Sequence, residues 1–437
     1  TFNNMMVLIV TLTDKHQACP YCGFTAPKIK EYVTKEITHS ALTTQKCIIK
    51  YRARRYKCPC CGKTYYEFNP FVFKSQKISI LTVHNILKDL KDFNETFTSV
   101  ARRYHVSPTS VSTIFDNHVD IGRNPLPEII NFDEVYAFKS EKSKYVCVLL
   151  DFKKQIPVDV LPNRKKEYLL NYFQKIPLEE RKKVKYACSD MYEVYRDVVH
   201  KVFPAAKHLL DYFHLSQDFH RKMNEVRIKV MKGYKDNKAS DEYYLLKKFN
   251  WLLFKNPEDE DKYGRLFDVE RERKYNSHFK SYMNYYDLRK KLLEINNDLT
   301  ICYSLKLELV DFYSKSTIDN AQVNLEHLIR SCIDTNIEEM IAFSNNLINW
   351  KQEIINSFTI VGTEYKVEAD KGQVVVCNKK VNNAIIENRN KIIKCIKNNA
   401  NGYTNWPRFR NRVMYVLDPN ATFSLEPREK QSWMHKT

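Results

Sequence analysis

The chain has 437 residues, with 71 Lys+Arg against 52 Asp+Glu and a formal net charge of +19. That length exceeds one compact core and predicts two to four units, while the basic surplus predicts a polyanionic partner, nucleic acid before membrane. A mean hydropathy of −0.52, with no apolar run near bilayer length, argues against a membrane-spanning protein.

Eight glycines in the whole chain leave little room for glycine-rich phosphate cradles. Gly62-Lys63-Thr64 has the ending of a P-loop, but Lys57 stands where the loop's first glycine belongs. The apolar run Met5–Val10 has no basic stretch before it and reads as a first strand, not a signal peptide. Twelve cysteines in a large, lysine-rich chain read as reduced thiols of a cytoplasm, with metal binding where CxxC pairs occur.

Residues 1–75 carry two such pairs, Cys19-Pro20-Tyr21-Cys22-Gly23 and Cys58-Pro59-Cys60-Cys61-Gly62. Four thiolates give Zn²⁺ a closed tetrahedral shell, so Cys19, Cys22, Cys58 and Cys61 are the predicted ligands of one structural zinc. Strand-like alternation fills the 35 residues between the pairs. Arg52, Arg54 and Arg55 lead into the second knuckle as a basic arm, readable as a DNA contact or as a solvated strand face.

Residues 76–125 read as helices. Ile80, Val83, Ile86, Leu87 and Leu90 keep helical spacing, a short helix follows over 98–106, and Ser107-Pro108 then supplies a cap and a first-turn proline. Two short helices joined by a tight turn predict a helix-turn-helix, whose second helix offers Thr109, Ser110, Ser112 and Thr113 to DNA. His105 stands in the turn where glycine is common in such motifs.

From 126 to 214 the period changes. Strands are predicted over 129–136, 145–151 and 156–161, then a helix over 167–175, a strand over 184–188, a helix over 191–202 and a strand over 207–210. Three strands followed by alternating helix and strand is an α/β order that matches a ribonuclease-H-like layout. Residues 215–360 read as an all-helical insertion, and 361–437 as a small hairpin, a helix from about 384 and a basic tail with Arg408, Arg410 and Arg412.

Asp133 and Asp190 each end a predicted strand, where an α/β sheet presents residues to a ligand. Phosphodiester chemistry brings carboxylates together to hold two Mg²⁺ ions. A helix N-cap for Asp190, and a solvated strand end for Asp133, are the plainer readings. Glu134 points to the opposite strand face. On a helix from 384 to 398, Ile385, Ile386, Ile392, Ile393 and Ile396 gather on one side, and Glu387 falls on the other, near Lys391 and Lys394. A carboxylate flanked by two phosphate-seeking lysines, or an exposed Glu387–Lys391 pair, both fit that face.

The segments Phe132-Asp133-Glu134, Ser189-Asp190-Met191-Tyr192 and Asp211-Tyr212-Phe213-His214 follow the paired knuckles and the helix-turn-helix. After them come the block from Asn383-Ala384-Ile385-Ile386-Glu387 to Lys394, then Gly402-Tyr403-Thr404-Asn405 and Phe409-Arg410. Over nearly its whole length the chain thus resembles the DDE transposases of bacterial insertion sequences, specifically the ISL3 family. It departs from the family at Ala384 and Asn388, where glycine is frequent.

The resemblance implies a ribonuclease-H-like core and makes Asp133, Asp190 and Glu387 the catalytic acids, binding two Mg²⁺ (or Mn²⁺) ions. Lys391, Lys394 and Arg410 become DNA contacts, and His214 either a catalytic aid or a core histidine. It implies a cytoplasmic bacterial enzyme acting on double-stranded DNA, both the terminal inverted repeats and the target, as at least a dimer when two ends are paired. The alternative from another class is a decayed or domesticated copy that binds DNA without cutting it.

Overall fold

The computed structural model describes residues 5–13, 18–40, 45–73, 76–138, 143–367 and 374–428. The chain packs into two units. The first comprises Thr1–Pro125, Glu134–Arg164 and Ile386–Thr437; the second comprises Leu126–Asp133 and Lys165–Ile385.

The first unit opens with β1 (Met5–Val10), β2 (Lys28–Thr38), β3 (Lys46–Lys57) and β4 (Thr64–Tyr66). β3 is central, parallel to β1 and antiparallel to β2 and β4. Period-2 alternation turns Cys47, Ile49, Tyr51 and Ala53 inward, where Ile49, Tyr51 and Ala53 pack with Ile37. The next residue breaks the alternation. Arg54 is also buried, and its guanidinium meets the Glu67 carboxylate at 2.8 Å and the Leu12 carbonyl at 2.7 Å.

Three helices follow: α1 (Ile80–Asp89), α2 (Phe97–Arg103) and α3 (Pro108–His118). Each start is written in local sequence. Ser79 caps α1, Thr96 and Ser99 form a reciprocal capping box on α2, and Ser107 with Pro108 opens α3. The turn between α2 and α3 places His105 at φ 55°, the left-handed conformation that glycine adopts without penalty.

Chain order continues with β5 (Ile129–Val135), β6 (Val146–Asp151), β7 (Pro157–Leu161), α4 (Lys166–Gln174), α5 (Leu178–Arg181), β8 (Tyr186–Ser189), α6 (Glu193–Val202) and β9 (Lys207–Leu210). β6 and β7 form an antiparallel pair in the first unit. In the second unit β8 is parallel to both β5 and β9. Every residue of β5 except Glu134 is buried, as a parallel strand covered on both faces requires. Phe132 packs against Phe173 of α4 and Tyr195 of α6.

The second unit continues through α7 (Tyr212–Lys232), α8 (Asp241–Lys248), a 3-10 turn (Asn250–Phe254), β10 (Glu260–Asp261), β11 (Gly264–Arg265), β12 (Lys274–Asn276), β13 (Ser281–Met283), α9 (Tyr285–Glu294), α10 (Asn297–Lys315), α11 (Ala321–Asp334), α12 (Glu338–Asn349) and α13 (Lys351–Asn356). These helices share one apolar core running from Leu215 and Phe219 to Ile354 and Phe358. The insertion is not all-helical as expected, because β10–β11 and β12–β13 form two antiparallel hairpins. Strands of two or three residues are too short to show a period-2 pattern, although Gly264 at φ 97° marks the first turn.

β14 (Ile360–Val367) and β15 (Val374–Lys380) form the expected hairpin, followed by α14 (Ala384–Asn399) and α15 (Trp406–Leu417). The buried face of α14 is Ile386, Asn390, Ile393 and Ile396, with Ile385 and Ile392 only half-buried. Residues 406–417 are no loose basic tail. Asn405 caps α15, whose Tyr415 joins the core of α1–α3 and donates to the Leu87 carbonyl at 3.0 Å. Arg412 is buried and donates to the carbonyls of Asp92 and Glu95 at 2.8 and 2.7 Å. No helix among the described residues is long and apolar enough to cross a membrane.

Candidate active site and metal centre

The two cysteine knuckles are built alike. In each, the glycine amide donates to the first cysteine's carbonyl at 2.9 Å (Gly23 to Cys19, Gly62 to Cys58), and both glycines have φ near +70°, at 73° and 71°. The tight turns face one another and gather the Sγ atoms of Cys19, Cys22, Cys58 and Cys61 within 4.8 Å. Cys19 and Cys61 are 3.7 Å apart through sulfur, Cys22 and Cys58 3.5 Å. Tetrahedral Zn²⁺ with arms of about 2.3 Å needs S···S edges of about 3.8 Å, so the donor set and its spacing fit that ion. Backbone amides turn onto the sulfurs, and the Cys61 amide leads those that hold the Cys58 thiol down to about 7. Tyr56 and Tyr65 stack beside the cluster with ring centroids 5.5 Å apart.

The second unit carries the acids. β5 and β8 run level from Ile129↔Tyr186 to Asn131↔Cys188, so the same register carried two residues further sets Asp133 beside Asp190. β8 and β9 run level to Ser189↔Leu210, and the Asp211 amide donates to the Ser189 carbonyl at 3.0 Å, which sets Asp190 beside Asp211. Three aspartates therefore follow in one row at the carboxyl ends of three adjacent parallel strands. All three act on the buried Cys188 thiol, whose pKa is driven well up by burial first and then by Asp211, Asp133 and Asp190.

Asp190 does not cap α6. Tyr192 holds the N-cap position, without a side-chain hydrogen bond. Asp211 is buried, and desolvation raises its pKa against the opposing Asn383 amide, which donates to Oδ1 at 3.1 Å. Its Oδ2 lies 3.9 Å from His214 Nε2, and neither buried atom has a hydrogen-bond partner among the described residues. That orphaned pair, in a row of carboxylates, is the donor chemistry that suits a divalent cation. A cavity of about 330 Å³ beside it is lined by Asp190, Met191, His214, Gln217, Asp218 and Arg221. The sequence reading gives Asp211 no role, although it follows β9 directly, a strand-end position like those of Asp133 and Asp190.

Asn383 ties the start of α14 into the second unit. Its side chain donates to the Phe132 carbonyl at 3.3 Å and accepts from Asn131 at 2.7 Å. Glu387 stands in the first turn of α14, half-buried, with Lys391 and Lys394 exposed on the same helix. Glu134 points away from Asp133 along the strand and pairs with Arg164.

The expected DNA contacts divide. Arg52 is exposed with its guanidinium over the Tyr32 ring at 4.3 Å, and Arg55 pairs with Glu31 at 2.8 Å. Arg54 is turned inward onto Glu67, so the arm presents alternate arginines only. On α3, Thr109 and Thr113 are exposed and Ser110 half-buried, whereas Ser112 is buried and its hydroxyl donates to the Thr109 carbonyl at 3.0 Å. Arg410 is drawn inward by the buried Asp159 at 2.7 Å and by the Ile121 carbonyl at 2.7 Å. Arg54, Ser112 and Arg410 therefore direct their side-chain donors to protein partners.

One unit thus carries a four-cysteine cluster that fits zinc, and the other a row of strand-end aspartates. The family model for ISL3-type transposases, described as "Transposase", matches residues 130–369, more than half of the chain. The chain belongs to the ISL3 family of transposases. The transposase for insertion sequence element IS1001 of Bordetella parapertussis is similar at 20% identity over 411 residues, 94% of this chain and 91% of that protein. Membership makes DNA the partner and DNA cleavage and transfer the general activity. The family match ends before Glu387.

Proposed function

We propose that this chain is the transposase of an insertion sequence, cutting DNA at the element's terminal inverted repeats and joining the freed ends to target DNA. The observation that carries this reading is the level row of Asp133, Asp190 and Asp211 at the ends of β5, β8 and β9. We take that parallel trio, with β6 and β7 following β5 in the chain, as a ribonuclease-H-like core. Two Mg²⁺ or Mn²⁺ ions held by these carboxylates would supply Lewis-acid activation of water and of the leaving oxygen. Asp133 and Asp190 are the first two ligands, and Asp211 orients from its buried position. Glu387 completes the set in this proposal. That is the role the resemblance to DDE transposases implies for the acid in the first turn of α14.

His214 and Arg221 line the cavity beside Asp190. We assign His214 to orient Asp211 and Arg221 to meet a DNA phosphate, which would draw it from its present partner Asp218. The knuckle unit with α2 and α3 would read the inverted repeats, through Arg52, Thr109 and Thr113, as a helix-turn-helix does. Lys391 and Lys394 would hold flanking phosphates. Two DNA ends require at least two copies of the chain.

The test is Mg²⁺-dependent nicking and strand transfer on DNA carrying the element's end. Wild type should perform both. Asp133→Ala, Asp190→Ala and Asp211→Ala should perform neither while still binding that DNA. Binding without cutting by the wild-type chain would instead indicate a domesticated DNA-binding protein.

A further inference from the structure

Outside the two sites described, the second unit gathers a second set of metal-type donors. His200 on α6, His208 on β9 and Glu353 on α13 bring their ligand atoms within 4.8 Å of one another. His200 is exposed, while His208 and Glu353 are 1% and 5% exposed.

The hydrogen bonds around His208 decide its tautomer. The Ser189 hydroxyl spends its only proton on the Asp190 carbonyl, at 2.8 Å. Ser189 Oγ also lies 2.9 Å from His208 Nε2, and must therefore accept there, so Nε2 carries the ring proton. That leaves Nδ1 as a bare lone pair. It is buried without a hydrogen-bond partner among the described residues, and it faces the Glu353 carboxylate at 3.9 Å. No hydrogen-bond donor reaches that carboxylate among the described residues. The nearby Arg196 is used elsewhere, over the Trp350 ring at 4.3 Å and on the Asn349 carbonyl at 2.9 Å. A lone pair and a carboxylate that face each other with no donor between them are stabilised by a cation, or by a water that donates to both.

We propose that His200, His208 and Glu353 bind a second zinc ion, at a site separate from the four cysteines and from the strand-end acids. Two imidazoles and one carboxylate suit Zn²⁺ and disfavour Mg²⁺ or Ca²⁺. Arms of about 2.1 Å bring tetrahedral donors to about 3.4 Å from each other. Rotation of the exposed His200 and of Glu353 supplies that closure, and the exposed side leaves a fourth position for water. His208 shows the arrangement usual for a zinc histidine, one nitrogen on the metal and the other donating to a fixed oxygen.

The ion would tie α6, β9 and α13 together at the edge of the parallel trio. Through His208 and Ser189 it would also fix the carbonyl of Asp190. That last consequence rests on the transposase reading; the metal site does not.

The experiment is zinc content per chain, measured by mass spectrometry of the metal in full-length protein purified without chelator. Wild type should hold one more zinc than His200→Gln, and one more than Glu353→Gln, with unchanged circular dichroism. Because His200 is exposed, its substitution does not threaten the fold, and it decides the matter if Glu353→Gln fails to fold. Cys58→Ser should remove a different zinc, so that the double variant with His200→Gln holds none. Equal zinc in wild type and His200→Gln would overturn the site, leaving a bridging water between His208 and Glu353. That result would leave the cleavage assays on the strand-end acids untouched, so the two readings fail separately.

Discussion

Asp190→Asn should make the protein more stable without magnesium while abolishing its chemistry. Asp190 is the middle of three carboxylates on adjacent strands, and strand spacing places level neighbours about 4.8 Å apart. Two ionised groups at that distance repel by about 3.5 kcal/mol at an effective dielectric of about 20. Burial already raises the pKa of Asp211, which relieves part of its repulsion, and the side chains can lean apart. The expected gain is therefore about 1–3 kcal/mol, several degrees in the melting of a unit of this size. Calorimetry in buffer without added magnesium, which leaves tightly held zinc in place, measures it. Adding Mg²⁺ should stabilise the wild type and barely move Asp190→Asn, and end cleavage should be absent in the variant. A variant less stable than wild type without magnesium, or one that still cuts, would refute the row of acids as a metal site.

Glu387→Gln should lose cleavage and joining while keeping affinity for the element's ends, whereas Glu134→Ala should cut normally, since Glu134 pairs with Arg164; both are read in the Mg²⁺-dependent strand-transfer assay. Removing zinc from the cysteine cluster should release residues 18–24 and 56–66 to hydrogen exchange while β5, β8 and β9 stay protected, because zinc binding is coupled to local folding. Arg52→Ala should lower DNA affinity modestly and reduce the salt slope of binding by about one. Arg54→Ala should instead destabilise its own unit by about 3 kcal/mol, leaving the buried Glu67 without its counter-charge and held only by the Tyr51 hydroxyl and the backbone amide of residue 54, as urea unfolding would show.

What this sequence determined alone was written between near neighbours in the chain. The knuckles follow from CxxC-Gly spacing, and the starts of α1, α2 and α3 follow from Ser79, Thr96 and Ser107-Pro108, since a turn or a cap is closed by residues within four positions. Asp133 and Asp190 were legible because each ends a run of strand-forming residues. The tertiary structure decided which charges face protein. Arg54 and Arg52 are alike in sequence, yet one is buried on Glu67, 13 residues away, and the other lies open over Tyr32. Arg410 sits among basic residues in the sequence, yet its guanidinium turns onto Asp159, 251 residues distant. Asp211 joined the other acids only through the register of β9 on β8, and Tyr415 entered the core of α1–α3 from over 290 residues further along the chain. A residue's pattern states what it can do, but its charge is spent on whichever partner folding brings near, and burial sets how strongly the two hold each other.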